Sequence, residues 1–295
     1  MRSTAGGKPG DPYSMVFFPN CKINLGLRIL RRREDGYHDL ETVFYPLPLR
    51  DALEIIRSEE LLFTATGIPI PGDAAHNLCL KAWHLLHRDF PDLPPVHIHL
   101  HKNIPIGAGL GGGSADGAQM LELLNKRFQI GIDTNKLLDY AAQLGSDCPF
   151  FLLNKPCLGT GRGEKLEPIE LDLSGYSFVI VAPGVHISTA QAFALCTPEE
   201  NDMPGAVRAG DTDRQSIKDI LTQPIGAWAR KLQNDFEEPV LRQYPSLRSI
   251  KDRLYAAGAL YASLTGSGSS FFGIFQKNSI PSLIFEADYT VILLT

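Results

Sequence analysis

PIGAGLGGGSADGA, residues 105–118, decides how this chain is read. Pro105 and Ile106 lead in, and five of the next seven residues are glycine: Gly107, Gly109, Gly111, Gly112 and Gly113, with Ala108 and Leu110 between them and Ser114 closing the run. An alternating stretch precedes the loop and a helical pattern follows it. Glycines at this density let the backbone approach a ligand more closely than any Cβ would permit. At a helix start, free N–H groups and the positive end of the helix dipole face an anion. A tight strand-to-helix turn would need one or two glycines, so the loop reads as a phosphate site, with the Ser114 hydroxyl available to a phosphate oxygen or a metal ion.

Two better-known phosphate loops do not match. A Walker A loop places Lys before Ser or Thr, and here Gly113 precedes Ser114. The Gly107-x-Gly109-x-x-Gly112 spacing does fit the dinucleotide fingerprint, with Asp133 about twenty residues on. That acid should end a second parallel strand, however, and Asp133 instead precedes a helical segment as its N-cap, which argues against a nicotinamide-dependent oxidoreductase.

Working outward, residues 15–30 have strand content broken at Pro19, and Asp35-Gly36 signals a hairpin turn into the extended stretch TVFYPLPLRDALEII. Residues 77–88 read as an amphipathic helix with Leu78, Ala82, Leu85 and Leu86 on its apolar face. VHIHLHKNI alternates, setting Val96, Ile98 and Leu100 against His97, His99 and His101. The histidines could share a metal, but no acid or cysteine completes a ligand set, and a half-exposed strand face accounts for them more simply. Helices are expected over 115–128, with Ala118, Leu121, Leu124 and Phe128 inward, and over 135–144, ending at Gly145. In the second half the expectation is a buried strand at 177–183, helices over 217–221, 225–244 and 247–258, and a strand–glycine–strand unit at 262–275. Strands and helices without steady βαβ alternation favour an α+β fold.

At 295 residues the chain suggests two domains. The glycine-rich, charged segment CLGTGRGEKLEPIEL (157–171) marks the boundary, giving 15–160 and 161–295, with 1–14 as a disordered extension. A net charge of −5 speaks against nucleic acid as partner. The local Arg28, Arg31, Arg32, Arg33 cluster reads as a solvated hairpin. The five scattered cysteines form no two-residue metal or redox spacing and read as reduced thiols. With no apolar run of membrane-spanning length and no leader in the first fourteen residues, the expectation is a cytoplasmic protein without a membrane partner.

Two further motifs concern a second reactant. GSDCPFF (145–151) sets Asp147 past a helix end, where it is either part of a helix-ending turn or a carboxylate placed to accept a hydroxyl proton. PNCKINLGL (19–27) puts Lys22 and Asn24 on one face of a strand. Thr265-Gly266-Ser267-Gly268-Ser269-Ser270 is a third glycine site, a candidate phosphate-side or substrate-side loop that a strand-start bulge would explain nearly as well.

Together the 105–116 loop, the Lys22/Asn24 strand and the Thr265–Ser270 loop resemble the three motifs of the GHMP kinases, from about Met15 to Phe275. The resemblance implies a ribosomal-protein-S5-like N-terminal domain that binds ATP, a ferredoxin-like C-terminal domain on the substrate side, and an active site between them. It implies ATP, with Mg²⁺, as donor at residues 105–114. Asp147 is then the base that accepts the hydroxyl proton, and Lys22 orients it and steadies the transferred charge. The Lys-Ile-Asn-Leu strand, Asp35-Gly36-Tyr37-His38 and the Gly145–Phe151 element point to the branch whose acceptor is a cytidine diphosphate-linked sugar alcohol of the non-mevalonate isoprenoid route, phosphorylated at its 2-hydroxyl.

Tyr37 and Phe193 suit stacking on a cytosine ring and His38 suits its polar edge. On the resemblance, Asn24 and Thr189 contact the acceptor, as do Gly266 and Ser267, while Asn77 and Lys102 serve the nucleotide. Cys21 and Cys148 replace residues usually Ala and Val or Ile in that branch. The metal is expected near Ser114, and no carboxylate stands out as its ligand. A related kinase acting on mevalonate or homoserine, and a nucleotide-binding protein without catalysis, are the alternatives. A monomer or weak homodimer is expected.

Overall fold

The computed structural model describes residues 14–196, 215–277, 279 and 283–295. The expected N-terminal extension lies, up to residue 13, outside the described residues.

The first half carries two sheets. β1 (Met15–Phe17) and β2 (Asn20–Arg32) are separated at Pro19, which has no N–H to give a ladder. β2 and β3 (His38–Arg50) form the anticipated hairpin, turning at Gly36 with φ +84°. Gly26, φ +70°, sits at a register shift between Leu25 and Leu27. β4 (Ala52–Arg57) and β5 (Leu62–Gly67) follow, then α1 (Leu78–Asp89) and β6 (Val96–Lys102). α1 is the crossover that makes β5 and β6 parallel. Its buried side chains are Cys79, Ala82, Trp83 and Leu86, so the apolar stripe is rotated from the expected one, with Leu78 and Leu85 at its margins. On β6 the alternation holds: Val96, Ile98 and Leu100 are fully buried, and the three histidines pair with Thr64 and Thr66 of β5 at 2.9–3.1 Å.

α2 (Gly112–Phe128) begins inside the glycine loop, three residues before the expected start at Ala115. α3 (Thr134–Leu144) is capped by Asp133, whose side chain accepts from the Lys136 N–H. The next helix, α4 (Cys148–Leu153), was not anticipated, and it makes Asp147 the residue before a helix rather than only the end of one. β7 (Cys157–Thr160) and β8 (Lys165–Pro168) then form a hairpin on β3. The sequence boundary between 160 and 161 therefore falls inside a hairpin of the first half. The glycines and charges read there as a boundary belong to its turn.

The second half is a four-stranded antiparallel sheet in the order β10-β11-β9-β12, built from β9 (Tyr176–Ala182), β10 (Tyr261–Leu264), β11 (Phe271–Gln276) and β12 (Thr290–Leu294). In its own strand count this is 2-3-1-4, the order of a ferredoxin-like sheet. The helices are α5 (Thr189–Leu195), α6 (Ile217–Leu221), α7 (Glu237–Gln243) and α8 (Arg248–Ala256). The single helix expected over 225–244 is instead a 3-10 turn at Ile225–Arg230 and α7. Between them the backbone leaves the helix to bond β2: Leu27 N–H donates to Gln233 C=O and Asp235 N–H to Leu27 C=O. β12, in a stretch where the sequence showed no motif, pairs β9 on its open side.

The two halves share a core. Cys21, Ile23 and Leu25 from β2 pack in one buried cluster with Trp228, Tyr261 and Phe272. Burying each large side chain of that kind contributes roughly 1.5–3 kcal/mol. The shared core holds β2, with Lys22 and Asn24, against the second sheet.

Candidate active site

A cavity of about 980 Å³ opens between the halves, and every site residue anticipated from the sequence lines it. Its floor is the glycine loop. Gly107, Gly109 and Gly111 all have positive φ, 65–76°, where a side chain is strained. At Gly109 the reason is close approach as well, since a Cβ there would lie 2.0 Å from the Thr265 carbonyl oxygen. The loop is tied down on both flanks. Lys22 N–H donates to Leu110 C=O at 3.0 Å, Ser270 N–H to Ala108 C=O at 3.3 Å, and the Thr265 hydroxyl to Gly109 C=O at 3.3 Å. All three sequence motifs thus meet at one loop. The α2 N-terminus carries no side-chain cap, and above Gly113 lies open space. Uncapped first-turn amides facing an open cavity fit a polyphosphate.

Lys22 is 3% exposed and reaches the cavity from β2. Its ammonium donates to Asn24 Oδ1 at 2.7 Å and lies 3.3 Å from Asp147 Oδ2, which is about one-third exposed, at 34%. Asn24 is fixed in turn, its amide donating to Thr42 Oγ1 at 2.9 Å and its backbone N–H to Thr265 Oγ1 at 3.1 Å. Phe44 and Thr42 of β3 were missed by sequence reading because only the hairpin register brings them beside β2. Lys22 packs over the Phe44 ring at 5.3 Å. Burial pushes the Cys148 thiol up to about 12, Asp147 adding and a hydrogen bond with Ser114 opposing, so Cys148 stays a neutral thiol against the loop serine.

Lys102 lines the cavity as well. Its ammonium is buried and paired with Asp51 and with Asp116 Oδ2, the latter at 2.8 Å, so its charge is matched by carboxylates beneath the loop. Asp51 also accepts from the Asn103 and Ile104 N–H groups, at 2.6 and 2.9 Å, where β6 enters the loop. Burial pushes the Asp116 carboxyl up, Lys102 opposes and Asp51 adds, leaving it at about 7. Burial alone would lower the Lys102 pKa, but the two acids outweigh it and hold it above the usual lysine value. Asn77 lines the cavity while its side-chain oxygen caps α1 by accepting from Cys79 N–H.

At the other end, His38 and Phe193 stack with ring centroids 4.4 Å apart and planes 9° from parallel. Tyr37 is 55% exposed, leaving ring area for a further flat group. Thr189 and Ser267 face each other at 3.4 Å, joining α5 to the Thr265–Ser270 loop.

Models for the GHMP kinases N terminal domain and the GHMP kinases C terminal match residues 77–155 and 216–287. A Bacteroides fragilis protein named 4-diphosphocytidyl-2-C-methyl-D-erythritol kinase is 46% identical over 93% of this chain and 97% of its own length. The chain belongs to the GHMP kinases. A Bacteroides thetaiotaomicron protein of the same name is 47% identical, over 89% of this chain and 92% of its own. Among solved structures, a 4-(cytidine 5'-diphospho)-2C-methyl-D-erythritol kinase superposes with TM-score 0.72 at 33% identity, covering 88% of this chain and 90% of that one. A Cytophaga hutchinsonii homoserine kinase, at TM-score 0.69, 18% identity and coverage of 99% and 97%, shares the fold. As a GHMP kinase the chain uses ATP. Among the described residues no helix is long and apolar enough to cross a membrane.

Proposed function

We propose that this GHMP kinase transfers the γ-phosphoryl of ATP to the 2-hydroxyl of 4-diphosphocytidyl-2-C-methyl-D-erythritol, in non-mevalonate isoprenoid precursor synthesis. The observation that carries the mechanism is the Lys22–Asp147 pair, 3.3 Å apart at the mouth of the glycine cradle. Kinship with 46%-identical relatives of that name supports the substrate, as does an aromatic end built from Tyr37, His38 and Phe193.

In the reaction the acceptor oxygen bonds to the γ-phosphorus as the bond to the β-γ bridging oxygen breaks, and ADP leaves. Asp147 takes the hydroxyl proton. Phosphoryl transfer is loose, so the proton departs late and a carboxylate is basic enough when correctly placed. Lys22, held by Asn24, keeps Asp147 oriented and offers positive charge to the phosphoryl oxygens. The α2 amides and the glycine-loop backbone hold the donor phosphates.

We further propose that Mg²⁺ accompanies the ATP and is held chiefly by phosphates, with Ser114 as the protein ligand. When bound it would neutralise the charge developing on the bridging oxygen. Among the described residues no three His, Cys, Asp or Glu side chains gather into a metal cage. That arrangement suits a cation that keeps several waters and binds through substrate phosphates. Action as a monomer or weak homodimer and a cytoplasmic location are part of the same proposal.

ADP release coupled to pyruvate kinase and lactate dehydrogenase, with the cytidine compound, mevalonate and homoserine as acceptors, tests the assignment. The cytidine compound should give the highest kcat/KM. Preference for mevalonate or homoserine would reassign the acceptor, and ATP binding without acceptor-dependent ADP release would remove the catalytic reading.

A further inference from the structure

The turn between β7 and β8, residues 161–164, reaches the cavity wall between the aromatic end and Asp147. It is anchored at several points. Gly161 C=O accepts from Leu40 N–H at 2.7 Å, Arg162 N–H donates to Glu164 Oε2 at 2.6 Å, and Gly159 packs against Phe44 so tightly that a Cβ would lie 2.5 Å from the ring. Gly161 and Gly163 take φ +69° and +104°, which presents the single side chain between them. The Arg162 guanidinium lies 4.7 Å from the Tyr37 ring centroid, within cation–π range. On the other side of the turn, a Cβ on Gly163 would be 3.9 Å from Asp147 Oδ1.

The charges lining the cavity single out this residue. Its other lysine and arginine groups, Lys22 and Lys102, each have a carboxylate within ion-pair distance: Asp147 for the first, Asp51 and Asp116 for the second. Among the described residues no carboxylate lies within ion-pair distance of Arg162, whose charge acts on Asp35 only from further away, behind the Arg33 hydrogen bond that chiefly holds that carboxyl below its usual range. An acceptor made of a nucleobase, two phosphates and a sugar alcohol must place its phosphates between the aromatic end and the base. That is the stretch of wall which Arg162 occupies.

We propose that Arg162 binds the diphosphate of the acceptor, its guanidinium held flat by Tyr37 and its N–H groups directed to the phosphate oxygens. This rests on the reading of the acceptor as a cytidine diphosphate. Arginine suits the place because its planar fork can stack on an aromatic ring and still donate two parallel hydrogen bonds to a phosphate. Arg162 is thus a specificity residue for acceptors carrying a diphosphate, and it takes no part in proton or phosphoryl transfer.

Calorimetric binding of cytidine, CMP and CDP to the full chain, with ATP and acceptor KM values, separates the possibilities for Arg162→Ala and Arg162→Lys. Arg162→Ala should weaken CDP binding and raise acceptor KM by roughly 10- to 100-fold, the scale of one hydrogen bond to an ionised group. Cytidine binding and the KM for ATP should hold, and Arg162→Lys should recover part of the loss. Equal weakening of cytidine and CDP would overturn the proposal by showing that Arg162 acts only through Tyr37, as would unchanged CDP binding. If wild-type protein fails to phosphorylate the cytidine compound, the functional assignment falls, and the CDP-against-cytidine difference still decides for or against Arg162.

Discussion

Lys22 Nζ stands 3.3 Å from Asp147 Oδ2 and 2.7 Å from Asn24 Oδ1, so one ammonium is shared between the carboxylate at the start of α4 and a neighbour on its own strand. A lysine so placed holds the acid in one direction and leaves a donor for oxygens arriving from the cavity. Lys22→Ala should lower turnover by about 10²–10³, the usual cost of removing one oriented donor to transition-state charge. Its ATP dissociation constant should change far less. Steady-state kinetics alongside ATP titration check this, and the opposite pattern would make Lys22 a donor-binding residue.

Gly109 and Gly113 should respond differently to alanine. At Gly109, φ is +76° and the added methyl would meet the Thr265 carbonyl at 2.0 Å. The left-handed conformation alone costs about 1–2 kcal/mol, before any separation of the two loops. Gly109→Ala should therefore lose melting temperature and ATP affinity together. Gly113 is exposed and helical with open space around it, where alanine is favoured over glycine by roughly 0.5–1 kcal/mol. Gly113→Ala should keep or raise the melting temperature while weakening ATP binding, because the methyl enters the space above the α2 amides. Wild-type ATP affinity in Gly113→Ala would move the phosphates away from that helix end.

The Asp116 carboxyl, raised to about 7 by burial and Asp51 against the opposing pull of Lys102, makes stability depend on pH with a definite sign. The folded state holds a proton that the unfolded chain releases near pH 4, so the group's contribution is fully present below about pH 4 and lost as pH rises through about 7. Asp116→Asn keeps the Asp51–Lys102 pair and removes that titration. Urea denaturation across this range should show a flatter pH dependence in the variant than in wild type. Parallel curves for the two proteins would mean that the proton is held elsewhere.

Much of this was legible locally. The glycine run, the Asp35-Gly36 turn and the cap at Asp133 each act through neighbours a few residues away, and each appears where the sequence placed it. Lys22 and Asn24 were readable as a pair because a strand puts alternate residues on one face. What escaped depended on distant partners. The ion pairs of Lys102 were hidden, since Asp51 and Asp116 reach its ammonium only after β4 and α2 pack around β6. The helical pattern of 225–244 was overruled by Leu27, whose backbone groups bond Gln233 and Asp235 across the domain junction. Arg162 lay in a stretch whose glycines suggested a domain boundary, although those glycines shape a turn at the cavity wall.

The central claim is that Asp147 accepts the proton of the attacking hydroxyl while the amide cradle independently holds ATP. Single-turnover phosphorylation of the cytidine compound by Asp147→Asn, with ATP affinity measured on the same protein, tests it most directly. Phosphoryl transfer should fall by roughly 10²–10⁴, the usual contribution of a positioned acid or base, with ATP affinity retained. Near-wild-type transfer by Asp147→Asn would contradict the account.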